Sequence, residues 1–131
     1  MTLITRAPVR RIVIIDDSES DAEALIRALK GRGVDDVLWF DEPPALETLD
    51  LDETSLVVLD LILRKEIDGL KVLEQMAQLG LTKPQIFLVS GLMSDLLDVA
   101  ESYGRAKGLN IIGSVEKPVC PQGIAKMLPL G

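Results

Sequence analysis

The sequence predicts one doubly wound α/β domain, because short apolar runs alternate five times with helical periodicities along its 131 residues. Apolar runs of this length indicate strands that are covered on both faces of a sheet. A shorter run, 37–40, follows an acidic pair and contains Trp39, which favours a strand nearer the sheet edge. The four stronger runs are 12–15, 56–59, 86–89 and 111–115.

Between these runs, apolar residues recur at the spacing of one helix face. Ser18 and Asp21 give the first helix an N-terminal cap, Pro43-Pro44 opens a short helix, and residues 121–128 leave room for only about two final turns. Connections of a few residues require right-handed crossovers and a mostly parallel sheet with helices on both faces. The stripes are Ala22, Leu25, Ile26 and Leu29; Leu70, Leu73 and Ala77; and Leu96, Val99, Ala100 and Tyr103.

The third stripe allows two interpretations. The first is packing against the core, and the second is that its rim, together with Leu97, forms a face for a homodimer or another partner. Core packing is the favoured interpretation.

Composition limits the class of protein. A hydrophobic content of 47% is sufficient for one well-buried core, so we expect a loose lead-in over residues 1–10 and a single domain over 11–131. A net charge of -7 argues against direct nucleic-acid binding. The apolar runs are too short to cross a membrane. The lone Cys120 and the absence of a signal-like N-terminus indicate the cytoplasm.

The absence of histidine restricts the chemistry that the chain can perform. It excludes the usual zinc clusters and Ser-His-Asp triads, so any chemistry depends on carboxylates, hydroxyls and lysine. No glycine-rich phosphate loop follows the first strand, which argues against a standalone enzyme or a flavin carrier.

Polar residues end four of the predicted strands, where parallel strands of this class place their ligands. Each alone has an ordinary explanation as a helix cap, a turn residue or a solvated lysine, but their joint occurrence indicates one site. Closely packed carboxylates repel unless a hard cation neutralises them, and oxygen ligands suit Mg²⁺. One carboxylate could then attack phosphorus and form an aspartyl phosphate. The residues are Asp16-Asp17, Asp60, Ser90-Gly91 and Lys117-Pro118.

The segments IVIIDD, VVLDL, FLVSG and EKP, in this order and spacing, resemble the response-regulator receiver domains of bacterial two-component systems. The resemblance covers essentially the whole chain. It implies a flavodoxin-like sheet of order 2-1-3-4-5. It also implies a phosphorelay switch that accepts a phosphoryl group from a sensor histidine kinase or phosphotransfer protein and regulates an attached or partner output domain. Catalysis would be limited to self-phosphorylation and slow self-dephosphorylation.

The resemblance also implies a role for each site residue. Asp60 would be the phosphoacceptor, Ser90 the switch hydroxyl, and Lys117 the contact to the phosphoryl oxygens. The Lys117-Pro118 bond would be cis. Mg²⁺ would be bound by Asp17 directly, by Asp16 through water, by Asp60, and by the backbone carbonyl of Ile62.

The chain departs from the receiver pattern in three places. Ser114 occupies a position where many receivers have an aromatic residue, so the output route is expected to differ. The loop LILRKEIDG is one residue longer than the common form and has Arg64 where proline is usual. Ile62 and Leu92 are apolar and cannot orient an attacking water, which predicts slow loss of the phosphoryl group.

Two questions remain open from the sequence. A receiver-like fold that no longer responds to phosphate and serves as an interaction or dimerisation module is the alternative function, and Ser114 is its best support. The stretch LVSGLMSDLLDVAESYGRAKGLNIIGSVEKP is similar to receivers attached to EAL-type cyclic-di-GMP phosphodiesterases. That similarity suggests an output enzyme outside this chain.

Overall fold

The computed structural model describes residues 8–63, 68–91 and 94–130. Most of the expected lead-in, residues 1–7, therefore lies outside the described part. Strands and helices alternate as predicted, except that the segment after Pro43-Pro44 contains only one 3₁₀ turn. The elements are β1 (Arg11–Ile15), α1 (Glu19–Lys30), β2 (Asp36–Phe40), the 3₁₀ turn (Leu46–Thr48), β3 (Ser55–Asp60), α2 (Asp68–Gln78), β4 (Gln85–Ser90), α3 (Ser94–Ala106), β5 (Asn110–Glu116) and α4 (Pro121–Met127).

The five strands form one parallel sheet in the order β2-β1-β3-β4-β5, which confirms the expected flavodoxin-like topology. The weakest predicted strand, β2, is present at one edge. The expectation that β5 is buried on both faces is wrong, because β5 forms the other edge and most of its residues are only half-buried. Its apolar sequence reflects packing against α3 and β4 rather than a central position.

Alternate residues of the central strands point into two separate apolar cores, as a two-sided sheet requires. Val57 and Leu59 of β3 face the core that contains Leu73 of α2. Leu56 and Val58 face the opposite core, which contains Leu25 of α1. The short α4 packs on this second side against α1. Among the helices in the described ranges, none combines the length and apolar character needed to cross a membrane.

The helix faces match the predicted stripes in part. Ser18 caps α1, its hydroxyl accepting from the Asp21 amide at 3.4 Å, and the α1 stripe is largely buried. In α3 the prediction for Val99 is wrong, because this side chain is 58% exposed, whereas Leu97, proposed as part of a partner face, is buried. The helix is rotated so that Leu96, Leu97 and Ala100 face the sheet. In α2 only Leu73 of the predicted stripe is fully buried, while Leu70 and Ala77 are partly buried. The other buried residues of this helix are Gly69, Val72 and Met76.

Gly69 allows α2 to begin directly against the end of β3. A Cβ atom at this position would lie 2.4 Å from the Leu61 Cα and 2.5 Å from the Asp60 carbonyl oxygen. The Gly69 amide donates to the Leu61 carbonyl at 3.1 Å. Because only glycine tolerates such a close backbone approach, this residue fixes how near α2 comes to the carboxyl end of β3.

Candidate functional site

Three carboxylates meet at the carboxyl edge of the sheet. Asp60 is the last residue of β3 and is buried, while Asp16 and Asp17 directly follow β1, the neighbouring strand. Each carboxylate offers one oxygen to a cluster whose members lie within 4.8 Å of one another. Adjacent parallel strands place their C-terminal residues side by side, so this convergence follows from the register of β1 against β3.

Lys117 brings a positive charge into this cluster. Its Nζ lies 2.9 Å from Asp60 Oδ2 and 3.2 Å from Asp16 Oδ2. A third carboxylate, Asp21 of α1, lies 3.6 Å from the same ammonium. The sequence indicates Asp21 only as part of a helix cap, and this contact with Lys117 depends on the fold. The Lys117–Pro118 bond is cis, as the resemblance implies.

Backbone amides hold two of the acids in place. The Ser18 amide donates to Asp16 Oδ1 and the Ile62 amide donates to Asp60 Oδ1, both at 2.9 Å. In each case the donor amide lies two residues after the aspartate. The turn that follows each strand therefore orients the carboxylate at the start of that turn. The Lys117 amide donates to the Ser90 carbonyl at 2.8 Å, which anchors the lysine to the end of β4.

The balance of charge explains the pKa values in the cluster. Burial raises the pKa of Asp60, although Lys117 and the Ile62 amide act in the opposite direction. Burial also raises the pKa of Asp16, against the effects of the Ser18 amide and Lys117. For Lys117, burial lowers the pKa, but hydrogen bonding and charge from Asp60 and Asp16 prevail and raise it. A single ammonium is therefore insufficient to offset the acids fully.

The donor set fits a hard divalent cation. Carboxylate oxygens are the ligands that Mg²⁺ prefers, and Asp16, Asp17 and Asp60 provide them at one point. Neither histidine nor a thiol joins this cluster, which disfavours softer metals. Because burial raises the pKa of Asp16 and Asp60, a cation that stabilises their ionised forms has a physical reason to bind here.

Ser90 ends β4 beside the cluster. The residue is 1% exposed, and its hydroxyl has no hydrogen-bond partner among the described residues. An unsatisfied buried hydroxyl is unfavourable by about 1–3 kcal/mol. The hydroxyl is therefore available to a group that enters the site and offers an acceptor.

Ser114 forms a polar contact where the receiver pattern usually has an aromatic residue. Its hydroxyl donates to the carboxylate of Glu101 on α3. The other Glu101 oxygen accepts from Arg105 at 3.3 Å. β5 and α3 are thus joined by a hydrogen bond at this level of the sheet. Residues 64–67 and 92–93 are outside the described part of the chain, so the expected effects of Arg64 and Leu92 stay predictions.

Comparison with known proteins identifies the family. The family model for the response regulator receiver domain matches residues 12–128. The chain belongs to this family. The receiver domain is 32% identical over 101 residues to the transcriptional regulatory protein DltR of Streptococcus agalactiae, covering 77% of this chain and 41% of that protein. It is also 32% identical over 81 residues to the alkaline phosphatase synthesis transcriptional regulatory protein PhoP of Bacillus subtilis, covering 62% and 33%.

Solved structures of similar proteins agree with the fold. A response regulator from Colwellia psychrerythraea has a TM-score of 0.78 at 27% identity, covering 90% of this chain and 92% of that one. A response regulator receiver protein from Pseudomonas putida has a TM-score of 0.71 at 24% identity, covering 92% and 96%. The receiver domain spans less than half the length of the curated relatives above. The family assignment therefore applies to this domain, whereas those relatives extend beyond it.

The raised pKa of Asp60 predicts that Asp60→Asn stabilises the metal-free domain at neutral pH. A carboxyl group whose pKa is higher in the folded protein than in the unfolded chain binds its proton more tightly when folded. The fold then becomes less stable as the pH rises above 3.8, the ordinary pKa of an aspartate. In a chelator at pH 7 we expect a higher free energy of unfolding than that of the wild type. This gain should shrink as the pH falls toward 4, as measured by urea denaturation.

Asp52→Asn is the matched control. The Thr54 hydroxyl and amide lower the pKa of this exposed carboxyl, so its replacement should reduce stability at pH 7 instead. If Asp60→Asn were less stable than the wild type at pH 7, pairing with Lys117 would outweigh burial and the explanation of the charge balance would be wrong.

Proposed function

We propose that this receiver domain accepts a phosphoryl group on Asp60 from a sensor histidine kinase or a phosphotransfer protein in the cytoplasm, and that residues 11–131 form the switching unit. The observation that carries the proposal is the position of Asp60. It is buried at the end of β3, 2.9 Å from the Lys117 ammonium and within the cluster formed with Asp16 and Asp17.

Transfer requires one carboxylate oxygen of Asp60 to attack phosphorus while the bond from phosphorus to the donor imidazole breaks. The electron pair of that bond leaves with the imidazole nitrogen, and the product is an acyl phosphate. Asp60 Oδ1 is held by the Ile62 amide, whereas Oδ2 lies on the side of Lys117. The ammonium can then move its hydrogen bonds from the carboxylates to the phosphoryl oxygens.

Mg²⁺ is the proposed cofactor, and it would neutralise the acids and the charge on the transferring oxygens. Asp17 and Asp60 would hold it directly, Asp16 through water, and the Ile62 backbone carbonyl would complete the protein ligands. The amide of the same residue already donates to Asp60, so the turn after β3 lies at the cluster.

Ser90 is proposed as the residue that responds to phosphorylation. Its buried hydroxyl has no hydrogen-bond partner among the described residues. Ser90 is the last residue of β4, the strand that pairs with β3 and therefore lies next to Asp60. A phosphoryl oxygen would provide the acceptor that it otherwise lacks. Since Ser114 provides no aromatic side chain, we infer that the change reaches the surface through the contact of β5 with α3.

The regulated output is proposed to be an attached or partner domain. The similarity of the stretch 88–118 to receivers of EAL-type phosphodiesterases supports a role in cyclic-di-GMP signalling, whereas the relatives DltR and PhoP are transcriptional regulators. A homodimer is a further candidate state. The exposed Val99, rather than the buried Leu97, is an apolar α3 side chain that could contact another copy.

Treatment with acetyl phosphate and Mg²⁺ should raise the intact mass of the protein by one phosphoryl group. Asp60→Asn should show no increase, while Asp52→Asn, which changes an exposed acid outside the cluster, should be labelled like the wild type. Absence of an adduct on the wild type would favour the alternative, a phosphate-independent interaction module.

The phosphorylated domain should lose its phosphoryl group slowly. Ile62 is two residues beyond Asp60 and its side chain has no group that can orient water, so we expect a half-life well beyond seconds at neutral pH. Ile62→Asn should shorten it, and Ile62→Leu should not. The measurement is the decay of the phosphorylated mass after removal of the donor. A wild-type half-life of seconds would contradict this prediction.

A further inference from the structure

Trp39 connects the edge strand β2 to the acid pair. Its indole Nε1 donates to the backbone carbonyl oxygen of Asp16 at 2.7 Å. The backbone amide of the same aspartate donates to the Phe40 carbonyl at 3.1 Å. Two consecutive residues of β2 therefore bind both backbone polar groups of Asp16, the first residue beyond β1.

These two bonds determine the orientation of the turn that carries the acids. The Asp16 carbonyl belongs to the peptide unit that joins Asp16 to Asp17, and a peptide unit is planar. Fixing this oxygen limits the rotation of that unit and thereby the directions in which both side chains leave the backbone. The Ser18 amide, which donates to Asp16 Oδ1, adds a third constraint.

The indole is itself held by packing. Trp39 is partly buried against the core on the side of α1, which contains Ile12, Ile14 and Leu25. A packed ring has few alternative rotamers, so its N–H is already directed at the Asp16 carbonyl in the metal-free protein. Little side-chain entropy of Trp39 is then lost when a cation binds. A role in packing alone would require the ring but not the N–H group.

We propose that Trp39 is a positioning residue for the cation site, acting through the Asp16 backbone. The inference rests on the proposed function, because it concerns the same cluster of carboxylates. Asp16, Asp17 and Asp60 repel one another in the metal-free protein, and repulsion favours a turn that relaxes away from the cluster. The indole bond opposes that relaxation, which keeps the carboxylates in a geometry ready for Mg²⁺.

The test compares Mg²⁺ affinity with the fold intact, using the full chain and isothermal titration calorimetry. Trp39→Phe keeps an aromatic ring and removes the N–H donor, so we expect Mg²⁺ to bind about three- to tenfold more weakly. Replacing Trp39 with benzothienylalanine keeps the bicyclic shape and should cause the same loss. Phe40→Leu, which alters a side chain on the same strand but leaves its backbone carbonyl, should bind Mg²⁺ like the wild type.

The outcomes separate this inference from the proposed function. Wild-type affinity in the benzothienylalanine protein would show that only the shape of the ring matters, and it would overturn the inference while leaving the proposed function intact. The inference would also be overturned if the Mg²⁺ affinity of the Trp39 variants fell only in proportion to their loss of thermal stability, measured in chelator. A wild-type protein that binds no Mg²⁺ would overturn both.

Discussion

The sharing of one ammonium group by several carboxylates is the interaction on which the site depends. Lys117 contacts Asp60, Asp16 and Asp21, and these acids come from β3, the turn after β1 and helix α1. The lysine, which follows β5, therefore joins the ends of two other strands and helix α1. Because burial keeps the pKa of Asp16 and Asp60 raised despite this lysine, we propose that an added cation binds here and that a phosphoryl group takes over the lysine hydrogen bonds.

The residues at strand ends are the most predictable part of the site. The residues that reach the site from a helix or from within a neighbouring strand are the least predictable. Asp16, Asp17, Asp60 and Lys117 follow apolar runs, and parallel pairing brings such positions to one edge. Asp21 and Trp39 could not be assigned, because their contacts depend on the rotation of α1 and on a side chain that reaches from β2 to β1. The signal that could have indicated the Trp39 contact is a tryptophan near the carboxyl end of a strand that is expected to lie beside β1.

The same limit explains the errors in the fold. Strand order came from the resemblance, since periodicity does not encode the position of a strand in its sheet. An apolar run such as that of β5 is compatible with a centre or an edge, and it lies at the edge. The apolar stripe of α3 was wide enough to allow two rotations, and packing of Ala100 and Leu97 against the sheet left Val99 exposed. Glu101 then meets Ser114 of β5, a contact that links this edge to the helix.

A crystal structure with Mg²⁺ and beryllofluoride, which mimics a phosphoryl group on aspartate, tests the central claim most directly. We expect beryllofluoride on Asp60, the cation against Asp17 and Asp60, and the Lys117 ammonium on a fluorine instead of shared between Asp60 and Asp16. A structure in which the adduct forms elsewhere, or in which Lys117 keeps its present partners and makes no contact with an adduct on Asp60, would contradict it.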